Sequence, residues 1–276
     1  MIRKPSVAGQ FYPNSPEELK KIVDYYVNQI DLKGDIPNKI HGLIVPHAGY
    51  VYSGKRAAAA YKYIQGKRYR NVAVISPSHR EFFDSISVYE GDGYETPLGL
   101  IERCTRFDDL IQSTDGVFLS NAGHRYEHAL EVQLPFLQLM LHDTFQLIPI
   151  VLGSQDETNV NRLSLFLKAI KSADPDLLII ASSDLSHFHS SDTANHMDGK
   201  WIQSMRDYNV ASLKDLFFSE TCEACGGGTI IALMDSLKNP SARIMVTGYS
   251  HSGEINFDNS SVVGYTSAVI YEGEES

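Results

Sequence analysis

The sequence has few cysteines, no long hydrophobic run and no large block of positive charge. Its three cysteines, Cys104, Cys222 and Cys225, are too few and the wrong number for a disulfide framework, so a reducing compartment is expected. No apolar run approaches the roughly 20 residues that a membrane-spanning helix needs. The basic N-terminus is not followed by an apolar stretch, so no secretory signal is predicted. A cytoplasmic protein with no membrane partner is therefore expected.

Positive charge is scarce. Lys and Arg number 24 against 34 Asp and Glu, and the formal net charge is −10. The acidic residues are dispersed, which opposes binding to phosphate backbones, so nucleic acid is not an expected partner. One small basic cluster, Lys67, Arg68 and Arg70, is interpreted as a solvated helix end that precedes a strand.

The pattern of apolar residues predicts alternating strands and helices. Short β-branched runs typical of buried strands occur at 42–45, 72–75, 147–152, 177–181, 244–246 and 262–271. Helical spacing is found from a capping box at Ser15 to a point between 28 and 34, and again at 57–64, 128–141, 160–171, 196–216 and 229–237. Pro135 is expected to kink or break its helix, and segment 84–120 is expected to hold hairpins around an Asp92–Gly93 turn.

This alternation predicts an α/β fold, a three-layer α/β/α sandwich around a mostly parallel or mixed sheet. The 276 residues fit one large domain or two small ones. Since no repeat, low-complexity stretch or linker is visible, a single domain over residues 1–276 is predicted.

Four predicted strands end in histidine: His47, His79, His187 and His251. Ligands bind at the carboxyl ends of strands in open α/β sheets, so these side chains are expected at one edge. Any one of them alone is as well explained as an isolated loop residue. Four at one edge favour a metal site or an acid–base site.

Cys225 precedes three glycines and an apolar helix. A helix N-terminus lowers the pKa of a thiol, and the glycines are expected to allow close approach of a ligand or of another backbone segment. Cys222 and Cys225 form a lone CxxC, which is a weak signal for zinc or dithiol chemistry. Cys104 lies in an irregular segment and is interpreted as structural.

His128 and Glu131 are three residues apart and share one face of their predicted helix. They are candidates for orienting a ligand or a bound substrate. An acidic residue that complements the helix dipole is an equally good explanation, and both readings stay open here.

Several motifs together resemble the Memo family. They are AGQFYP (8–13), VPHAGYVYSG (45–54), SPSHR (76–80), EHALEVQLPFLQ (127–138), SSDLSHF (182–188) and ACGGG (224–228), and they span essentially the whole chain. The resemblance implies a fold like the LigB-type extradiol dioxygenases, with His47, His79 and Cys225 as metal ligands. It also implies Asp184 and His187 as catalytic neighbours. Tyr50, His128, Glu131 and His251 are further candidates for substrate binding or for support of the ligands.

The same resemblance implies iron or copper as the metal, with zinc as another candidate. In bacteria and archaea such proteins are described as component B of the AmmeMemoRadiSam system, which implies AMMECR-type and radical SAM proteins as partners. Ring-cleaving relatives bind iron with two histidines and a carboxylate, whereas Cys225 stands here in the third position. A thiolate favours Cu(I), zinc or thiolate-bound iron and is easily oxidised, so catechol cleavage is not expected.

Three functions compete at this point. The first is a metal-dependent redox protein or enzyme of unknown small-molecule or peptide substrate, in which His187, positioned by Asp184, moves protons. The second is a non-catalytic scaffold that uses a vestigial dioxygenase pocket to bind a peptide or partner proteins. The third, ranked last, is a zinc hydrolase or a cysteine nucleophile enzyme built on Cys225.

Overall fold

The computed structural model describes residues 1–32 and 36–273. In chain order its strands are β1 (Ile2–Arg3), β2 (Ile40–Val45), β3 (Asn71–Pro77), β4 (Ile86–Tyr89), β5 (Gly93–Thr96), β6 (Gly99–Glu102), β7 (Val117–Ser120), β8 (Gln146–Leu152), β9 (Leu178–Ser182), β10 (His187–His189), β11 (Ala242–His251) and β12 (Val262–Glu272). Its helices are α1 (Pro16–Asn28), α2 (Tyr50–Tyr61), α3 (Asp108–Ser113), α4 (His128–Glu131), α5 (Leu134–Met140), α6 (Glu157–Ala173), α7 (Ser191–Arg206), α8 (Val210–Phe218), α9 (Gly227–Leu237) and α10 (Gly253–Asn256).

Nine of these strands form one mixed sheet in the order β10-β12-β2-β9-β3-β8-β4-β7, with β11 also paired to β12. The four central strands β2, β9, β3 and β8 are parallel. Antiparallel β12 and β4 flank them on the two sides. The carboxyl ends of the central strands therefore share one edge of the sheet, and their amino ends share the opposite edge.

Both faces of the sheet are covered because the central strands are apolar throughout. Leu43 and Val45 of β2 face one core with α1, α2, α4 and α5, whereas Ile44 faces a second core with α6, α7, α8 and α9. Strand β3 alternates in the same way. The predicted α/β fold with helices on both faces of a mixed sheet is confirmed.

Two long helices of the prediction are each divided in two. The break in segment 128–141 falls at Val132 and Gln133, just before Pro135 in the first turn of α5, as expected for a residue that lacks an amide hydrogen. Segment 196–216 divides into α7 and α8 around Asn209, whose side chain caps α8. The helix predicted at 57–64 begins earlier, at Tyr50, and ends in a 3-10 turn.

Segment 84–120 contains short strands, as predicted, but its hairpin turn lies at residues 97–98 between β5 and β6. Gly93 is the first residue of β5 and pairs with Ile2 of β1 in a separate three-stranded sheet. Within the described ranges, every helix is too short or too polar to span a bilayer.

Candidate metal centre

The carboxyl-end edge brings three histidines together. His47 follows β2, His79 follows β3, and His128 is the first residue of α4. One ring nitrogen of each lies within 4.8 Å of a ring nitrogen of the other two. The ring centroids are 4.7 Å apart for His79 and His128 and 5.4 Å apart for His47 and His128. Three imidazoles at this spacing can bind one transition-metal ion.

Cys225 lies beside this cluster. Its Sγ is 3.0 Å from Nε2 of His47 and accepts a hydrogen bond of 3.2 Å from the Asp184 amide. Gly226 allows the chain to pass this close to the end of β9, because a Cβ atom at residue 226 would lie only 2.4 Å from the carbonyl oxygen of Ser182. The predicted close approach of the glycine segment to another backbone is therefore confirmed, and it places the sulfur against His47.

The expectation that a helix N-terminus lowers the pKa of this thiol is wrong for the metal-free protein. Burial raises the pKa of the Cys225 thiol well above its ordinary value, and the neighbouring Asp184 carboxyl raises it further. Part of the residue surface stays accessible, but protein atoms enclose the sulfur. Cys222 donates to the carbonyl oxygen of Met197 at 3.3 Å, and Cys104 lies in the core.

Hydrogen bonds fix the tautomer of His47. The Ser182 hydroxyl donates to the carbonyl oxygen of Ala129 at 2.7 Å and accepts from the Gln133 amide at 2.8 Å. Since its one proton is already donated, Ser182 Oγ can only accept from Nδ1 of His47, which lies 3.0 Å away. The proton of the neutral ring is therefore on Nδ1, and the lone pair of Nε2 faces Cys225.

Glu127 orients His79 in a similar way. Its carboxylate accepts from Nδ1 of His79 at 2.9 Å, from the His79 amide at 2.7 Å and from the Ala129 amide at 2.8 Å. Burial alone would raise the pKa of Glu127, but these hydrogen bonds hold that pKa below its ordinary value. An ionised, buried carboxylate behind a histidine is the arrangement that supports metal-ligating imidazoles.

His128 contributes a ring nitrogen without a hydrogen bond. Its Nδ1 is buried and lies 3.3 Å from Oε1 of Glu127, but the geometry is not that of a hydrogen bond. Burial lowers the pKa of His128 to about 4 and lowers the pKa of His47 well below its ordinary value, and neighbouring histidines add to both effects. Both rings are therefore neutral at pH 7, which is the form that binds metals.

Asp184 and His187 lie near the cluster but are not hydrogen-bonded to each other among the described contacts. Oδ1 of Asp184 accepts from the His47 amide at 2.7 Å, so the carboxyl holds the turn after β2. Burial raises the pKa of Asp184 to about 7. Burial lowers the pKa of His187, whose ring bonds to the carbonyl oxygen of Leu185 and interacts electrostatically with His79. The positioning of His187 that was expected from Asp184 comes instead from backbone.

Glu131 lies behind the cluster and anchors the N-terminal segment. Its carboxylate pairs with Arg3 and accepts from the Tyr12 hydroxyl at 2.6 Å and from the Val7 amide at 3.1 Å. Arg3 also donates to the carbonyl oxygen of Glu127 at 2.7 Å. The side chain is thus committed to internal contacts, and its effect on the histidines passes through the placement of α4.

Tyr50 and His251 occupy the periphery. Tyr50 is buried, and its hydroxyl donates to the carbonyl oxygen of Val132 at 2.7 Å, which joins α2 to the break after α4. His251 ends β11, its ring packs near Tyr249, and its buried Nδ1 has no hydrogen-bond partner. No contact among the described residues joins either ring to the three clustered histidines.

Three residues orient the two strand-end histidines without being predicted from the sequence: Glu127, Ser182 and Gln133. Glu127 carries a usable signal, because it directly precedes a short helix whose amide it caps. Ser182 is the last residue of β9, at the edge where the carboxyl ends of the strands meet. Gln133 carries no such signal, since it lies at a helix break that only the fold defines.

Comparisons with known proteins agree on one family. The family model described as Memo-like protein matches residues 3–269. MEMO1 family proteins of Thermoplasma volcanium and Methanobrevibacter smithii are 34% and 37% identical to this chain, and each alignment covers 98% of it and 98% and 99% of the relative. An uncharacterised protein of Escherichia coli K12 shares the fold at a TM-score of 0.53 and 13% identity, with 84% of this chain and 100% of that chain covered. The chain belongs to the Memo family.

Proposed function

We propose that this chain is a metal-dependent redox protein or enzyme in which His47, His79 and Cys225 hold one iron or copper ion. The observation that carries the proposal is the convergence of three imidazoles and one thiol at the carboxyl-end edge of the sheet. Zinc accepts the same donors, so a titration has to compare all three metals.

The donor set fits a transition metal. The Ser182 and Glu127 hydrogen bonds occupy Nδ1 of His47 and of His79, which leaves Nε2 of each ring for a ligand. Cys225 Sγ already lies against one of these nitrogens. The buried Nδ1 of His128 has no hydrogen-bond partner, and a bound metal ion would compensate for this missing contact.

His128 competes with Cys225 for the third position. A His47–His79–His128 set has no thiolate and suits zinc, copper or iron, whereas a set with Cys225 favours Cu(I) or thiolate-bound iron. The high pKa of the metal-free thiol does not prevent binding, because a coordinating metal deprotonates a thiol.

The remaining polar groups suit acid–base work. A bound iron or copper ion would supply one-electron chemistry. His187 is half-buried, is held by backbone and lies within electrostatic reach of His79, so we assign it the transfer of protons to or from a substrate. The substrate would be a small molecule or a peptide.

The direct test is anaerobic titration of the protein with Fe(II), Cu(I) and Zn(II). We expect one metal ion to bind per chain, and we expect Cys225→Ala to weaken binding. A Co(II)-substituted sample should show a sulfur-to-metal charge-transfer absorption band that disappears in Cys225→Ser and persists in His128→Gln.

Two results would contradict this assignment. Failure of all three metals to bind near stoichiometric concentration would rule out a metal function. Unchanged affinity in Cys225→Ala together with a loss in His128→Gln would remove Cys225 as a ligand and assign the third position to His128. Lys20→Glu, an exposed substitution on α1, serves as a control for handling and folding.

A second function, a binding or scaffold role, is favoured by exposed aromatic rings close in sequence to the histidines of the centre. Phe82, Phe188 and Tyr126 are 93%, 76% and 53% exposed, and each lies within three residues of His79, His187 or His128. Exposed aromatic side chains grouped on one part of a surface are typical of regions that contact a partner.

This second function predicts a complex with an AMMECR-type protein of the same system. Co-purification with that protein should survive His47→Ala and His79→Ala and should be lost in Phe188→Ser. The opposite pattern, loss of the complex with the histidines and retention without Phe188, would rule out the scaffold role at this edge.

The third function, a cysteine nucleophile without metal, is disfavoured by the buried, protonated state of the Cys225 thiol. We expect slow alkylation of Cys225 at neutral pH in metal-free protein. Rapid and selective alkylation of Cys225 would support the cysteine-nucleophile function instead.

A further inference from the structure

A second cavity lies at the amino-end edge of the sheet, opposite the histidine cluster. It is an open cleft of about 1390 Å³. The segments that border it lead into the four central strands or end helices α6 and α9, and they include residues 38–41, 66–70, 143–144, 168–176 and 236–239. None of the three clustered histidines lines it. The cleft is therefore a separate feature of the fold.

The cleft is basic although the protein is acidic. Eight Lys and Arg side chains line it, against four Asp and Glu. One third of the 24 Lys and Arg residues of the chain thus border one cavity of a protein with net charge −10. The small basic cluster at Lys67, Arg68 and Arg70, which the sequence suggested was only a solvated helix end, is part of this larger arrangement.

Most of the acidic residues in the cleft are already paired. The pairs are Glu272 with Lys39 at 2.9 Å, Asp174 with Arg106 at 3.7 Å, and Asp143 with Arg68. The fourth, Asp176, interacts electrostatically with Lys171. Three of the four carboxylates are thus neutralised by cations that are themselves part of the lining.

Five cations of the cleft have no ion pair with any described residue. Two of them, Lys67 and Lys171, donate to backbone carbonyl groups such as those of Pro37 and Leu177. The other three, Arg70, Lys168 and Lys238, are exposed, and their side chains make neither a hydrogen bond nor an ion pair in the described part of the chain. Unpaired cations on several segments around one concavity produce a focused positive potential.

We propose that this cleft binds a small molecule that carries a diphosphate or triphosphate group. The excess of four positive charges matches the charge of such a group, and the arginine and lysine donors suit its many oxygen atoms. The ligand is small because the protein as a whole is acidic, so a long polyanion would be repelled outside the cleft.

The probes are inorganic pyrophosphate and tripolyphosphate, and the measurement is isothermal titration calorimetry on the full chain. We expect saturable binding that weakens as salt is added. Lys168→Glu and Lys238→Glu should each reduce the affinity by roughly tenfold or more, because each removes a charge-assisted contact and adds repulsion. Denaturant unfolding confirms that each variant is folded.

Lys20→Glu is the matched control, because it changes the net charge equally and lies on α1, away from the cleft. It should leave the affinity unchanged. Absence of saturable binding of both probes, or an equal loss of affinity in Lys20→Glu, would overturn the proposal. Equal affinity for citrate would overturn the assignment to phosphate. Binding to phosphoinositide-containing vesicles without binding of the free probes would assign the surface to a membrane instead.

Discussion

The two edges of the sheet use opposite strategies to bring polar groups together. At the carboxyl ends, His47 and Glu127 are buried, His79 is partly exposed but bonded to Glu127, and the hydrogen bonds restrict the position of the proton on each ring. At the amino ends, cations such as Arg70 and Lys168 are exposed and have no fixed partner. The first arrangement suits one ion in one geometry, whereas the second suits a charged ligand whose position need not be fixed closely. The same strands thus offer a rigid site and an adaptable one.

Two ion pairs, one at each edge, show the same contrast. Arg3 and Glu131 are 5% and 0% exposed behind the histidines, whereas Arg68 and Asp143 pair in water at the edge of the basic cleft. Desolvation makes a buried charge costly when its partner is removed, while water replaces a lost partner at the surface.

The largest effect is expected for Arg3→Ala. It leaves the Glu131 carboxylate buried without its cation, and we expect a loss of about 3–5 kcal/mol in the free energy of unfolding, measured with guanidinium chloride. The double variant Arg3→Met with Glu131→Gln should recover part of this loss, because no charge is then buried. A loss below about 1 kcal/mol in Arg3→Ala would show that water reaches Glu131.

Glu127→Gln tests the rigid edge at the metal itself. An amide has one acceptor oxygen where the carboxylate has two, so it cannot accept from both the His79 ring and the backbone amides. We therefore expect metal affinity to fall by roughly 10- to 100-fold. Glu18→Gln, an exposed change on α1, is the control and should have no effect. Equal metal affinities for the Glu127→Gln variant and the parent protein would show that backbone alone orients His79.

His124→Gln tests how a buried neutral imidazole couples stability to pH. His124 accepts from the Tyr94 hydroxyl and donates to the carbonyl oxygen of Ser87, and burial lowers its pKa to about 3. Below pH 6.5 this histidine is protonated in the unfolded state but stays neutral in the folded state. The free energy of unfolding therefore decreases as the pH is lowered. Between pH 7 and pH 5 this contributes about 2 kcal/mol, which the variant should lack.

The measurement is denaturant unfolding over that pH range. His41→Gln in the basic cleft is the comparison, because His41 is only half-buried and the lowering of its pKa is less extreme. It should change the slope of stability against pH by less than His124→Gln does. Equal slopes for the His124→Gln variant and the parent protein would contradict the assignment of a neutral ring.

The smallest effect is expected for Arg68→Ala. The Asp143 carboxylate is exposed, so water takes the place of the lost guanidinium and the free energy of unfolding should not change measurably. Pyrophosphate binding is the more sensitive measurement, since this arginine lines the cleft. A marked loss of stability would mean that the amino-end edge is as rigid as the opposite edge.

The sequence was most informative where strands end. His47 and His79 were predicted at one edge because buried strands are recognisable from continuous apolar residues, and parallel strands present their carboxyl ends together. His128 was expected only to support the ligands, because its position depends on a helix that approaches from another layer. The protonation of Cys225 was mispredicted, since sequence shows a nearby helix start but not the burial that outweighs it.

The basic cleft was the hardest feature to predict. Lys168, Lys238 and Arg70 are far apart along the chain, and each appears in the sequence as an ordinary solvated charge. Only the topology, which brings the loop before β3 together with the ends of α6 and α9, places them around one cavity. Apolar periodicity predicts layers well, but it carries no information on which exposed charges become neighbours.

Gly226 influences the geometry of the centre although it supplies no metal-binding atom. Its φ is −113°, so alanine would not meet the strain of a left-handed backbone, yet an added methyl group would press on the carbonyl oxygen of Ser182. The methyl group would act as a wedge and shift the sulfur of Cys225 from the ring of His47 while every side-chain donor remains in place. The distance between the thiol and the imidazole is thus set by the smallest residue in the motif.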